Sequence, residues 1–261
     1  MASLSTHISS GVAKMLLMGD SGTGKTGSLA SLAKAGYHLH ILDYDNGLDS
    51  LAQALRDAPD ALANVDYESL RDKLKPSPMG PVVDGIPKAF TQGVNLLDKW
   101  SDGSRPREWG TNHILVLDST THFGNAAYNW AVAMNPSCKD PRQWYGVAQD
   151  AFENVIALLT DPAFTANVII ISHISWVERP DGTMKGYPSS IGKALGPQIP
   201  TFFNSVALCE TTGVGQAVKR TIRTTPTALI DLKNPASMRM APQLPIETGL
   251  ATFFQTLKGD K

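Results

Sequence analysis

The stretch "GDSGTGKT", residues 19–26, decides the fold. Its spacing is G-x-x-x-x-G-K-[ST], the pattern of a loop whose backbone N–H groups converge on phosphate oxygens. Glycines allow that close approach, and the helix that follows adds positive potential at its N-terminus. The context fits. "AKMLLMG" (13–19) is a short apolar run that predicts a buried strand, and "KTGSLASLAKAG" (25–36) predicts a helix with Gly36 as its stop. The phosphate cradle is then Gly19, Asp20, Ser21, Gly22, Thr23, Gly24, Lys25, Thr26 and Gly27. Lys25 supplies a point charge for the β/γ-phosphates, and the Thr26 hydroxyl serves Mg²⁺. The implied cofactors are ATP and Mg²⁺.

A second fingerprint is nested in the same residues. Gly22, Gly24 and Gly27 spell G-x-G-x-x-G, and Asp43 ends the next strand about 20 residues on, the pattern of a dinucleotide site with an acid on the ribose. That alternative leaves Gly19, Lys25 and Thr26 without a purpose.

Working outward, strands and helices alternate, which predicts an α/β fold with a mostly parallel sheet. "YHLHILDYD" (37–45), "NVDYESLRD" (64–72), "HILVLDST" (113–120) and "ANVIIISHIS" (166–175) are strand candidates. Helices are expected over 50–59, 88–100, 147–161 and 247–257. Residues 75–87 and 101–110 are loops by their Pro, Gly and Ser content. The aromatic-rich stretch 121–146 and the Gly/Pro-rich stretch 176–200 are expected to be irregular. "FNSVALCET" (203–211), "VKRTIRTTP" (218–226) and "TALIDLKN" (227–234) are expected as antiparallel closing strands.

Asp118 ends the most strongly apolar strand, where an aspartate can hold the hydration shell of Mg²⁺. The group that orients the attacking water must come from elsewhere, because Ser119 and Thr120, not a glutamate, follow Asp118. "LDYDNGLD" (42–49) is the best source. It is not an EF-hand, since Asn46 and Gly47 fall one position early and no glutamate closes the loop.

The order of these features resembles the RecA-like recombinase core. In that family a strand ending in an acidic pair follows the phosphate loop, and "ILDYDNGLD" is similar to it, with Asp45 in place of the water-activating glutamate. "LVLDST" looks like the family's Mg²⁺ strand. "VIIISHIS" looks like its sensor strand, with His173 at the polar sensor position. By the same resemblance, residues 121–146 and 174–200 occupy the places of two DNA-binding loops. Arg142, Arg179, Lys185 and Lys193 then become the phosphate contacts, with Trp176 and Tyr187 as stacking faces. Lys233 takes the place of a lysine that reaches a neighbouring subunit's nucleotide.

The likeness is greatest to the minimal phage-encoded RecA-like ATPases of the single-strand annealing group. It implies an N-terminal tail (1–11), an ATPase core (12–240) and a C-terminal helix and tail (241–261). It also implies an ATP-hydrolysing protein that binds single-stranded DNA and promotes annealing or recombination, assembled as a ring or filament, with a single-strand-binding protein as a further candidate partner. The other expectation is an ATP-dependent accessory or loader protein acting on a protein partner.

Composition sets the outer bounds. Hydrophobic residues are 42% and charged residues 18%, the balance of an ordinary globular chain. The net charge of −1 means any nucleic-acid contact must rest on a local basic surface. No apolar run approaches a membrane span, the first residues do not form a secretory signal, and Cys138 and Cys209 have no partner pattern. A cytoplasmic protein, in the host cytoplasm if phage-encoded, is expected.

Overall fold

The computed structural model describes residues 11–138, 140–192 and 194–259. Lys193, and residues 1–10 of the expected N-terminal tail, lie outside them.

The chain runs β1 (Lys14–Met18), α1 (Lys25–Ser28), α2 (Ala30–Lys34), β2 (His38–Asp43), α3 (Asp49–Leu55), α4 (Pro59–Leu62), β3 (Val65–Ser69), the short pair β4 (Leu74–Lys75) and β5 (Val82–Val83), and α5 (Ala89–Asp98). It continues through β6 (His113–Asp118), α6 (Thr120–Met134), α7 (Pro141–Thr160), β7 (Asn167–Ser172), β8 (Ile174–Glu178), β9 (Met184–Pro188), β10 (Ser205–Thr212), β11 (Lys219–Arg223), β12 (Gln243–Pro245) and α8 (Gly249–Lys258). The main sheet has eight strands in the order β12-β11-β10-β1-β7-β6-β2-β3. All neighbours from β10 to β3 are parallel, and β11 and β12 close the sheet antiparallel. The expected α/β architecture is the observed one.

The central strands β1, β6 and β7 are buried on both faces, which explains their unbroken aliphatic runs. Their side chains alternate between two cores. Leu16, Leu115, Leu117, Val168 and Ile170 meet Phe123 and Phe152 on one face. Leu17, Ile114, Val116, Ile169 and Ile171 share the other with Leu32, Phe253 and Phe254. The edge strand β3, "VDYES", is polar, as an edge should be.

Four expectations need correction. The stretch 121–146 is not a loop. Thr120–Met134 is helical, with Thr120, Phe123, Gly124, Ala127 and Ala131 buried at helical spacing. Asp140 caps a second helix by accepting from the Arg142 N–H at 3.0 Å, and Pro141 opens its first turn. Residues 174–188 form the β8–β9 hairpin rather than an irregular loop. "FNSVALCET" pairs parallel with β1, not antiparallel. "TALIDLKN" is not a strand; it touches the sheet only through a Val206–Lys233 bridge, while β12 takes the place next to β11. Toward the C-terminus, β12 lies in the sheet and Phe253 and Phe254 lie in the core.

Candidate nucleotide site

The phosphate loop leaves β1 at Gly19, whose N–H donates to the Ser172 carbonyl at 3.1 Å. A side chain at Gly19 would stand 2.6 Å from both the Cys209 carbonyl and the Thr23 hydroxyl, so only glycine fits. Gly24 turns the chain into α1 at φ 93°, a left-handed geometry that glycine adopts without strain. Lys25 is buried and folds back over the loop, its Nζ donating to the carbonyls of Gly19 (2.8 Å) and Asp20 (2.9 Å). Burial lowers its pKa, with neighbours including Asp118 and Asp45 opposing the shift.

Strand pairing brings in the acids. Asp43 and Asp118 are register partners at the ends of β2 and β6. The Thr26 hydroxyl donates to Asp118 Oδ2 at 2.6 Å, so the two residues expected at Mg²⁺ meet across 92 positions of sequence. Asp118 is 2% exposed, and burial pushes its carboxyl up to about 7, although the Thr26 hydrogen bond pulls it down. A buried carboxylate of that kind is relieved by a cation. Among the described residues no group of three or more His, Cys, Asp or Glu could hold a metal alone. Mg²⁺ keeps several waters and shares phosphate oxygens instead of using a full protein cage. The donor set fits: Thr26 and Asp118 would hold the ion, and the loop from Gly19 to Gly27 the phosphates.

Asp45 lies two residues beyond Asp43 and is only partly buried. Its Oδ1 accepts from the Ser119 N–H (3.1 Å) and the Ser119 hydroxyl (2.7 Å), which fixes the carboxylate beside Asp118 and into the cavity. Asp43 plays a different part. Its Oδ1 accepts from the N–H groups of Asn46 (2.8 Å) and Gly47 (3.4 Å) and holds the turn that carries Asp45. It is 2% exposed and engaged by that turn, so Asp43 is not placed to grip a ribose as the dinucleotide alternative expects. Asp49 is the first residue of α3.

The resulting cavity, of about 760 Å³, is lined at one end by Lys25, Thr26, Asp45, Asp118 and His173, and elsewhere by α2, α3, Arg220, Ile246 and Glu247. His173 therefore reaches the site. Its Nδ1 is 3.1 Å from the Thr121 hydroxyl, and burial lowers its pKa. The adjoining β8–β9 hairpin is anchored at its base: the Ser189 N–H donates to the His173 carbonyl at 2.8 Å, and the Thr120 hydroxyl lies 2.8 Å from both Ser172 Oγ and the Ser189 carbonyl.

The expected DNA contacts are not brought together. Lys185 is buried and paired with Asp231 at 2.6 Å, so it cannot serve a phosphate in this arrangement. Arg142 is exposed but is held by Asp140 at 2.7 Å, on a helix start rather than in a loop. Arg179 stands exposed at the hairpin tip, and Trp176 is half exposed beside Gly186. Lys233 does not line the cavity; its Nζ donates to the carbonyls of Pro200 (2.8 Å), Phe203 (3.3 Å) and Thr201 (3.4 Å). Arg220 and Glu247 were missed as cavity residues. The basic run "VKRTIR" was visible, but nothing in it shows that β11 ends against the loop.

No curated protein sequence matches the chain. Among solved structures, a KaiC-like protein of Pyrococcus horikoshii OT3 is similar at 9% identity and TM-score 0.41, covering 83% of this chain and 79% of its own. The flagellar accessory protein FlaH of Methanocaldococcus jannaschii is similar at 10% identity and TM-score 0.40, covering 87% and 84%. The type III secretion ATPase EscN of enteropathogenic E. coli, in complex with its central stalk EscO, is similar at 14% identity and TM-score 0.44, covering 76% of this chain and 42% of its own. Residues 12–236 match the AAA domain family. That span takes in the phosphate loop, Asp45, Asp118 and His173, and the chain belongs to the AAA domain family of P-loop ATPases.

Proposed function

We propose that this chain hydrolyses ATP, with Thr26 and Asp118 holding Mg²⁺ and Asp45 positioning the attacking water. One observation carries this reading: the Thr26–Asp118 hydrogen bond at 2.6 Å sits beside an Asp45 carboxylate fixed by Ser119. Bound Mg²⁺ would supply charge neutralisation at the phosphates. The chain's own residues do the rest. The loop N–H groups and Lys25 hold the phosphates, and Ser119 orients Asp45 so that its second oxygen can accept a proton from water. Thr121 orients His173 at the cavity wall. Aspartate is one methylene shorter than glutamate, which favours slow turnover. Steady-state phosphate release with and without Mg²⁺ tests the proposal; a purified protein that binds ATP but releases no phosphate would sink the hydrolytic part.

We further propose single-stranded DNA as the effector, engaged through the β8–β9 hairpin, where Arg179 and Trp176 are exposed, by a protein that assembles with copies of itself in the cytoplasm. The free thiols Cys138 and Cys209 accord with a reducing compartment. Single-strand binding measured against salt, with and without ATP, checks this, and size measurement under the same conditions checks assembly. A protein-directed role is the second reading. The exposed apolar side chains Tyr67, Leu74, Met79, Val82 and Ile86, clustered in sequence around β3–β5, favour it. DNA-independent turnover with no DNA affinity would select it.

A further inference from the structure

The antiparallel pair β11–β12 rests directly on the phosphate loop. A Cβ added to Gly24 would stand 3.2 Å from both Arg220 Cδ and Ile246 Cγ1. Arg220 Nε donates to the carbonyl of Gly22, at the loop tip, at 3.0 Å. Strand alternation puts Arg220 on the same face as Ile222, which is fully buried. Arg220 itself is exposed, because at its end of the strand this face opens into the nucleotide cavity. Arg223, on the opposite face, is already engaged: its Nε lies 3.1 Å from both oxygens of Glu210, and its Nη2 lies 2.8 Å from one. The Nη atoms of Arg220 have no hydrogen-bond or ion-pair partner among the described residues, although Glu247 lines the same cavity.

We propose that Arg220 binds the polyphosphate of the nucleotide from within the same chain while its Nε holds the loop tip. The guanidinium fork suits this double task, since one edge can serve a carbonyl and the other phosphate oxygens. This deepens the ATPase reading and depends on it. It also adds to Lys25 and Lys34 a further cation on the cavity wall, supplied by an element 198 positions from Gly22.

Two substitutions separate the phosphate contact from the loop clamp. Arg220→Gln keeps an N–H donor for the Gly22 carbonyl but removes the charge; Arg220→Lys keeps the charge. Dissociation constants for ATP and ADP are measured by titration calorimetry on the full chain, with thermal unfolding as the control for folding. Arg220→Gln is expected to weaken ATP and ADP by about tenfold or more, while Arg220→Lys, which keeps the charge but not the fork, loses several-fold less than Arg220→Gln. Natural affinity in Arg220→Gln, or an equal loss in both variants, overturns the proposal and leaves Arg220 as a clamp. If the natural protein binds neither nucleotide, the site reading itself fails, and the inference with it.

Discussion

The strand pair β2–β6 carries ionisable groups at both ends, and the two ends treat them in opposite ways. At the carboxyl end Asp43 and Asp118 are partners; at the amino end His38 and His113 are. Burial raises the pKa of Asp118 to about 7 and lowers that of His40, beside His113, to about 4. Both shifts have burial as their largest cause, and both favour the neutral form. The surroundings differ. His40 stacks on Trp109 with ring centroids 3.9 Å apart and shares a 2.9 Å hydrogen bond with His113, a closed aromatic packing. Asp118 faces a cavity with Lys25, Thr26 and Asp45. One end stores neutral groups as structure; the other holds a carboxyl at the cost of stability, where a cation can use it.

The comparison breaks first at Lys25. Lys25→Ala is expected to lower phosphate release by about 10²–10³ or more, because the loop loses its point charge; near-natural turnover would remove the site assignment. Asp45→Asn should keep ATP affinity within a few-fold and lose about 10²-fold in turnover, the range of a removed general base. Binding and single-turnover assays together separate these two losses.

The pH slopes sharpen the contrast. The folded pKa of Asp118 lies above its unfolded value, so the folded state holds the extra proton and this group's contribution to stability falls as pH rises from about 4 to 7. Asp118→Asn should therefore raise the melting temperature by several degrees at pH 8. The gain should shrink as pH drops through 7, while turnover is lost. For His40 the folded pKa lies below the unfolded one, so stability is lost as pH falls from about 6.5 to 4. His40→Phe should flatten that acid-side decline, an effect of about 1–2 kcal/mol by thermal unfolding at pH 4.5 against pH 7. A parallel decline in both proteins would show that another group sets the slope. The smallest effect belongs to Asp49→Asn, which should cost about 0.5 kcal/mol by loss of a favourable charge in the first turn of α3, with turnover unchanged. Loss of turnover there instead would move the catalytic acid from Asp45 to Asp49.

What was legible in the sequence follows the same division. The strands that run into Gly19, Asp43, Asp118 and His173 announce themselves because parallel strands buried on both faces must be aliphatic, and they stop where chemistry begins. Helix α6 was hidden because its buried face is built from Ala, Gly, Phe and Thr, while Asn residues and the partly buried Tyr128 and Trp130 lie between them and blur the period. The burial of Lys185 was not legible, since its partner Asp231 is 46 positions away. Arg220 was visible as a charge but not as a wall of the site, because nothing local in "VKRTIR" says which strand face meets the loop.

The β8–β9 hairpin has a fixed root and a free tip. Its root is stitched to Thr120, two residues from Asp118, and to Ser172; its turn, Pro180–Gly182, is exposed. For anyone handling the protein, that turn is the natural attachment point. A fluorophore or short insertion at Asp181 would leave the hydroxyl lattice at the root untouched. The same probe would sit on an element whose root holds His173 at the cavity wall, so its signal can be read against what the site holds.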